Sequence, residues 1–167
     1  MIDDISGIRV INFVSLNQED VMEVFYLRNH PEITKWAITQ NISLKEHLEF
    51  VQKLKNDSTK CYFLLKREKV TLGVVSLSRI NVMHKNAYIG IYKNPALNKV
   101  GKDLLMVLEE IAFKKMKLHS LFLEVLEDNV KAIAFYQKNG YSYQGCLKDF
   151  MYYNHQYKDV LIYEKIQ

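Results

Sequence analysis

Hydrophobic and polar positions along this chain change period several times, and each change marks an element. Ile8 to Phe13 alternates apolar with polar residues and predicts a strand. Asn17 then caps a helix that opens on Gln18-Glu19-Asp20, an acidic first turn suited to the helix dipole, and runs to about Asn29, before Pro31. Its apolar stripe is Val21, Val24 and Phe25. Arg28, four residues after Val24, falls on the same face, so an arginine is expected to point inward. Ser43-Leu44-Lys45-Glu46 reads as a capping box, opening a helix whose expected buried stripe is Leu44, Leu48, Val51 and Leu54, with His47 inside it.

From Lys60 the period shortens to two. Strands are predicted at Cys61 to Lys66, Leu72 to Ile80 and Asn86 to Lys93, with turns near Glu68-Lys69 and Met83-His84-Lys85. A long amphipathic helix follows from about Val100 to Met116, carrying Leu104, Leu105, Leu108, Ile111 and Ala112 on one side, and then a strand from Leu121 to Leu126. A helix from Asn129 to Lys138 stops at Asn139-Gly140, and tyrosine-rich strands at Tyr141 to Met151 and Tyr157 to Glu164 close the chain. The order β-α-α-β-β-β-α-β-α-β-β specifies an α/β domain with a mixed sheet.

Composition narrows the function classes. The 167 residues, 49% hydrophobic, fit one domain over residues 1–167. A net charge of +4 is too mild and too dispersed to mark a nucleic-acid protein, but it suits an anionic ligand. Cys61 and Cys146 lie far apart, outside any CxxC spacing, so neither a disulfide framework nor a zinc site is indicated, and a reducing cytoplasm is the expected home. The residues from Met1 to Ile5 lack the basic and apolar regions of a secretory signal, and no apolar run approaches a membrane span.

Three features then coincide. The strand Tyr88-Ile89-Gly90-Ile91-Tyr92-Lys93 enters a loop, Asn94 to Val100, that delivers Gly101-Lys102-Asp103 at a helix start, and after the next strand comes Asn129-Val130-Lys131-Ala132-Ile133-Ala134-Phe135-Tyr136-Gln137-Lys138-Asn139-Gly140-Tyr141. This combination resembles the GCN5-related N-acetyltransferase (GNAT) family. In that family a helix N-terminus binds the pyrophosphate of acetyl-CoA, and an NxxAxxFYxxxGY stretch borders the pantetheine and thiol. The resemblance implies a single-domain α/β fold, a mixed, mostly antiparallel sheet with a central splay and flanking helices, and acetyl-CoA as cosubstrate without a metal. The family's loop is Q/R-x-x-G-x-G/A. With its last glycine on Gly101, Ala96 stands at the basic position and Lys99 at the first glycine, so one anchor of three matches. Backbone N–H groups of Lys99, Val100, Gly101 and Lys102 still meet the phosphate requirement, and the two lysines add charge. The bland alternative is that Gly101 only permits close helix packing.

On this resemblance Tyr136 protonates the departing thiolate, and Tyr92, Asn129, Ala132 and Phe135 join the cofactor site. The plainer reading of Tyr136 is a core ring, which its FYxxxGY setting disfavours, and Asn129 can be an N-cap and a cofactor contact together. For the base, Glu124 inside Leu121-Phe122-Leu123-Glu124-Val125-Leu126 is the candidate, since burial there should raise its pKa, with a structural ion pair as the competing reading. By alternation Tyr88, Gly90 and Tyr92 share one strand face, which suits an acceptor groove.

For the acceptor, the segments Arg28-Asn29-His30-Pro31, Trp36, Ser43 to Phe50, Ile89 to Pro95 and His119-Ser120-Leu121 resemble a narrower group, the N-acetyltransferases of pseudaminic acid biosynthesis. Those enzymes acetylate the 4-amino group of UDP-4-amino-4,6-dideoxy-N-acetyl-β-L-altrosamine. Arg28 and His47, polar residues on apolar helix faces, suggest one pocket for an anionic group such as the UDP diphosphate. Ser78 and Arg79 add a hydroxyl and a second cation, and Phe50 and Trp36 pack on the deoxy-sugar or complete the core. Each has its structural reading: a hydrogen-bonded core histidine for His47, an ion pair for Arg28, plain surface charge for Arg79. The implied partner is the UDP-amino-sugar substrate, with no nucleic acid and no membrane, and a monomer or homodimer. Two rivals remain, a protein N-terminal acetyltransferase of the ribosomal-protein type and a noncatalytic acyl-CoA-binding module.

Overall fold

A computed structural model of the protein describes residues 2–37, 41–153 and 155–167. It contains strands β1 (Ile2–Ile5), β2 (Ile8–Asn12), β3 (Cys61–Arg67), β4 (Val70–Asn81), β5 (Asn86–Lys93), β6 (Ser120–Leu126), β7 (Ser142–Tyr153) and β8 (Gln156–Ile166). The helices are α1 (Gln18–Arg28), α2 (Pro31–Thr34), α3 (Leu44–Leu54), α4 (Gly101–Glu109) and α5 (Val130–Lys138). All eight strands form one sheet in the order β1-β2-β3-β4-β5-β6-β8-β7, antiparallel throughout except for the β5/β6 pair.

The predicted elements recur with shifted ends, and two are new. β1 pairs with β2 through a tight turn in which Ser6 (φ 54°) and Gly7 (φ 74°) both take the left-handed conformation and Asp4 accepts a hydrogen bond from the Gly7 N–H. α2 is a single turn with Pro31 in its first turn, capped by the His30 ring, whose Nδ1 accepts from the Glu32 N–H. The predicted strand over Ile8 to Phe13 ends at Asn12, whose side chain caps a 3₁₀ turn over Phe13–Ser15. The helix expected to Met116 is α-helical to Glu109 and continues as a π turn over Glu110–Lys115.

Side-chain alternation divides the core between the two faces of the sheet. On one face Val75, Leu77, Ala87, Ile89, Leu121 and Leu123 pack under α4, with Ala132, Ile133, Phe135 and Tyr136 of α5 against the same cluster. On the other, Ile11, Leu64 and Val74 meet Phe13, Val24 of α1 and Leu54 of α3, with Phe50, Val51, Tyr62 and Tyr92 around them. Lys66 ties α1 to the sheet, its ammonium 2.6 Å from Asp20 and 2.7 Å from Glu23, with Asp20 buried.

The capping box of α3 is present in full, Ser43 and Glu46 each bonding the other's backbone N–H. Its buried stripe is the expected one only in part. Leu44 and Leu48 are 38% and 46% exposed, while His47 and Leu54 are buried. The helix thus turns His47, Val51 and Leu54 inward as expected, while Leu44 and Leu48 in its first half face out.

Candidate functional site

The sheet opens at the junction of β5 and β6. These strands pair only at Asn86–Ser120, Ala87–Leu121 and Tyr88–Phe122. The Lys85 carbonyl closes the base of the pair by accepting from the His119 N–H (2.6 Å) and the Ser120 N–H (3.2 Å). Beyond Tyr88, β5 pairs only with β4, and beyond Phe122, β6 pairs only with β8. The facing backbone edges are left without strand partners in a wedge, which is the central splay expected above.

On the α4 and α5 face the wedge meets two helix starts. Asn94 shapes the incoming loop: its side-chain oxygen accepts from the Ala96 N–H and its amide donates to the Thr71 carbonyl. Lys99 has φ 61°, the left-handed conformation that a glycine would adopt without strain. At this departure from the family loop the lysine itself takes the conformation that glycine favours. Val100 precedes α4 and supplies no side-chain cap, so the first-turn N–H groups are left to a ligand or to water. Lys99 and Lys102 are exposed there. The Phe135 ring lies 3.4 Å from where a Cβ on Gly101 would stand, so α5 and the start of α4 are in contact.

Asn129 is the N-cap of α5, its side-chain oxygen accepting from the Ala132 N–H at 3.3 Å. Tyr136 packs edge-on against both Phe135 and Tyr141, and burial pushes its hydroxyl up to about 12. A phenol held there stays protonated at neutral pH.

The opposite face carries the other candidates. Tyr88, Gly90 and Tyr92 share it as alternation requires, but the two rings do different things. Tyr92 joins the α1/α3 cluster, away from α4, so its side chain does not stand with Gly101 and Asn129. Burial raises the Tyr92 and Tyr62 hydroxyls, and the positive charge of Arg28 opposes that rise at both. Arg28 is half-buried, and its charge is felt at both phenols. Tyr62, an apolar-stripe residue by pattern alone, is one that reasoning from the sequence misses. It stacks edge-on with Phe50 at 5.0 Å, which gives Phe50 its place.

His47 is 2% exposed, with Nε2 3.1 Å from the Val21 carbonyl and its ring 5.8 Å from that of Phe25. Burial pushes its pKa below the ordinary value, the Val21 carbonyl opposing. It is thus a neutral, hydrogen-bonded histidine in the α1–α3 seam and adds no charge to an anion site. Trp36 is 42% exposed beside Lys35 and does not complete the core.

Glu124 is not an isolated buried carboxylate. Both its oxygens accept from the Arg79 guanidinium, at 2.6 and 3.1 Å, which realises the ion-pair reading and takes Arg79 out of the class of plain surface charge. Arg79 lies over the Tyr88 ring at 4.2 Å, and that ring stacks on Phe122 at 5.5 Å. Ser78 is half-buried, its hydroxyl 3.5 Å from the Tyr88 carbonyl. Among the described residues no group of three or more His, Cys, Asp or Glu could hold a metal ion, and no helix is long and apolar enough to cross a membrane.

A family model described as the acetyltransferase (GNAT) family matches residues 21–141. The chain belongs to the GNAT family. It is 35% identical over 145 residues to the acetyltransferase PseH of Campylobacter jejuni subsp. jejuni serotype O:2, an alignment covering 87% of this chain and 91% of that protein. The crystal structure of Campylobacter jejuni N-acetyltransferase PseH in complex with acetyl coenzyme A superposes with a TM-score of 0.76 at 28% identity, covering 96% of this chain and 99% of that one. A spermidine N-acetyltransferase from Vibrio cholerae, in complex with CoA and spermine, gives a TM-score of 0.87 at 24% identity over 98% and 97% of the two chains, a likeness of fold. This GNAT member is an N-acetyltransferase, with the starts of α4 and α5 and Tyr136 on one face of its sheet.

Proposed function

We propose that this N-acetyltransferase transfers the acetyl group of acetyl-CoA to the 4-amino group of UDP-4-amino-4,6-dideoxy-N-acetyl-β-L-altrosamine, a step of pseudaminic acid biosynthesis that leads to flagellin glycosylation. The observation that carries the reading is the division of the wedge. An uncapped helix start with two lysines lies on one face of the sheet, and two arginines among tyrosines lie on the other. The likeness to PseH over most of the chain supports it. In this reading the cosubstrate's pyrophosphate takes the N–H groups of Val100, Gly101 and Lys102 and the charge of Lys99 and Lys102. Its pantetheine runs along the open edge of β5 past Asn129, Ala132 and Phe135. The acceptor enters from the α1/α3 face, with Arg28, Ser78 and Arg79 at its nucleotide and Tyr88, Tyr92 and Phe50 beside its sugar. His47 contributes by fixing α3 to α1.

The chemistry is direct transfer. The neutral amine attacks the thioester carbon, the C–N bond forms as the C–S bond breaks, Glu124 takes a proton from the nitrogen and Tyr136 donates one to the departing sulfur. Tyr136 suits that task because the desolvation that holds its proton also raises a thiolate. Elsewhere in this protein, burial lifts the Cys61 thiol to about 11. Cys61 lies in β3 and Cys146 in β7, outside the wedge, so no acyl-enzyme is required. The cytoplasm, where acetyl-CoA is made available, is the compartment this reading implies.

The test is acetyl-CoA-dependent CoA release with UDP-4-amino sugars, free amino sugars, polyamines and peptides as acceptors. Turnover confined to a UDP-4-amino sugar is expected, and preference for a peptide or a polyamine would overturn the acceptor assignment. Tyr136→Phe should lower kcat by about 10²-fold or more while leaving the affinity for acetyl-CoA unchanged.

A further inference from the structure

The Arg79–Glu124 pair raises a difficulty for direct proton transfer to Glu124. A carboxylate whose two oxygens both accept from one guanidinium has the lone pairs on that side engaged, and that approach is closed to an incoming amine. The base is masked in the arrangement the structure records. We infer that Arg79 is a substrate-operated switch on Glu124: the acceptor's diphosphate draws the guanidinium off the carboxylate, so the base is released only when a nucleotide-bearing acceptor is seated. The inference rests on the acceptor proposed above.

Three observations carry it. The first is where the arginine comes from. Arg79 sits in an irregularity of β4, where the pairing with β5 breaks between Ser78 and Asn81, and its own φ is 49°. It reaches Glu124 from two strands away, crossing β5, so no strand pairing is broken if the side chain swings. The second is the path. The guanidinium lies 4.2 Å above the Tyr88 ring, and that ring is backed by Phe122. A flat aromatic platform holds a planar cation without fixing its direction, and contact is kept while the cation turns. The third is the order of the layers. The Arg79 side chain is 58% exposed and that of Glu124 20%, so the arginine covers the glutamate from the solvent side. A partly exposed ion pair is held less firmly than a buried one, and a diphosphate offers the same fork more charge and more acceptor oxygens. Exchange of partners is therefore favourable when the acceptor arrives and reverses when the product leaves.

This makes Arg79 a specificity residue as well as a ligand for the nucleotide. An amine without phosphates finds the base still paired, so it loses turnover and not binding alone. The experiment compares wild type, Arg79→Ala and Arg79→Lys on two acceptors, the UDP-linked 4-amino sugar and the same 4-amino sugar without the nucleotide. Melting temperature serves as the control for folding. With the UDP-linked acceptor, Arg79→Ala should raise KM by about tenfold, the cost of one charged hydrogen bond. Arg79→Lys, which keeps charge but not the fork, should recover part of that loss. With the nucleotide-free acceptor the order should invert, Arg79→Ala turning over faster than wild type because its base is never masked. A fall in kcat on both acceptors would overturn the switch and make Arg79 a residue that merely positions Glu124, leaving the acceptor assignment intact. If wild type fails on the UDP-linked sugar yet acetylates a phosphate-free amine, the acceptor assignment and the switch fall together.

Discussion

Gly73 has no place in any motif, yet the geometry makes it the least replaceable glycine in the protein. It lies in β4 with φ 156°, and a Cβ there would stand 2.4 Å from the Tyr92 carbonyl oxygen, 2.9 Å from Lys93 Cα and 3.0 Å from Leu104 Cδ1. Two of those atoms are backbone, so no rotamer change relieves the contact. For Gly73→Ala the backbone conformation costs about 1–3 kcal/mol and the overlap about 1–3 kcal/mol more, together about 2–6 kcal/mol. At about 2–4 °C per kcal/mol for a domain of this size, the melting temperature should fall by about 4–24 °C. Gly145 is the matched control, since a Cβ there would meet nothing within 4 Å, and Gly145→Ala should stay within about 0.5 kcal/mol of wild type. The assay is thermal and urea unfolding of the three proteins side by side. Because Leu104 belongs to α4, any folded Gly73→Ala protein should also show a raised KM for acetyl-CoA. A Gly73→Ala protein melting within about 2 °C of wild type would refute the packing argument.

Two further outcomes follow from the acceptor side. Arg28→Ala should raise the KM for the UDP-linked acceptor by about tenfold to a hundredfold, the worth of a charged hydrogen bond of about 1.5–3 kcal/mol, while the KM for acetyl-CoA stays unchanged. UDP alone should compete with the acceptor; loss of thermal stability with unchanged acceptor KM would instead make Arg28 a structural ion-pair residue. The buried His47 has a folded pKa below its unfolded value, so the unfolded chain binds the extra proton first. Its stabilising effect is fully present above about pH 6.5 and is lost as the pH falls through the folded-state pKa. Urea midpoints measured from pH 7.5 down to 5 should show this slope in wild type and a shallower one in His47→Gln, and identical slopes would refute it.

The sequence carries the periodicities well, because they are set by burial on one face. Strands β2 to β6 and helices α1, α3, α4 and α5 fall where alternation, capping residues and Asn139-Gly140 put them. β1 escapes the pattern because four residues offer too few alternations, although Ser6-Gly7 is a turn signal of the kind that closes a hairpin. The α3 stripe is legible at His47, Val51 and Leu54 but not at Leu44 and Leu48, because the period alone treats every leucine on that face as buried whether or not another element covers it. His47 is buried through the Val21 carbonyl, a partner in another helix that no local pattern contains. The same limit applies to Glu124 and Arg79, 45 residues apart in the chain and joined only because β5 lies between their strands. Tyr62 is hidden in the same way, since a tyrosine in a strand is ordinary until Arg28 is placed near its hydroxyl.

The proposed function divides the labour between the two faces of the sheet. In the proposed binding mode acetyl-CoA is gripped by features of the main chain: the unpaired edge of β5, the uncapped start of α4 and a left-handed residue at 99. Any side chain that can adopt φ 61° preserves that shape, and Lys99 does so while adding a charge of the sign a pyrophosphate needs. On the acceptor face the work falls to side chains held by tertiary contacts, Arg28 near Tyr62 and Tyr92, and Arg79 across Tyr88 onto Glu124. Changing one of these removes both a ligand contact and the partner that orients another group. In this binding mode the cofactor half of the site depends on its backbone frame even with one loop anchor of three, and the acceptor half on side chains.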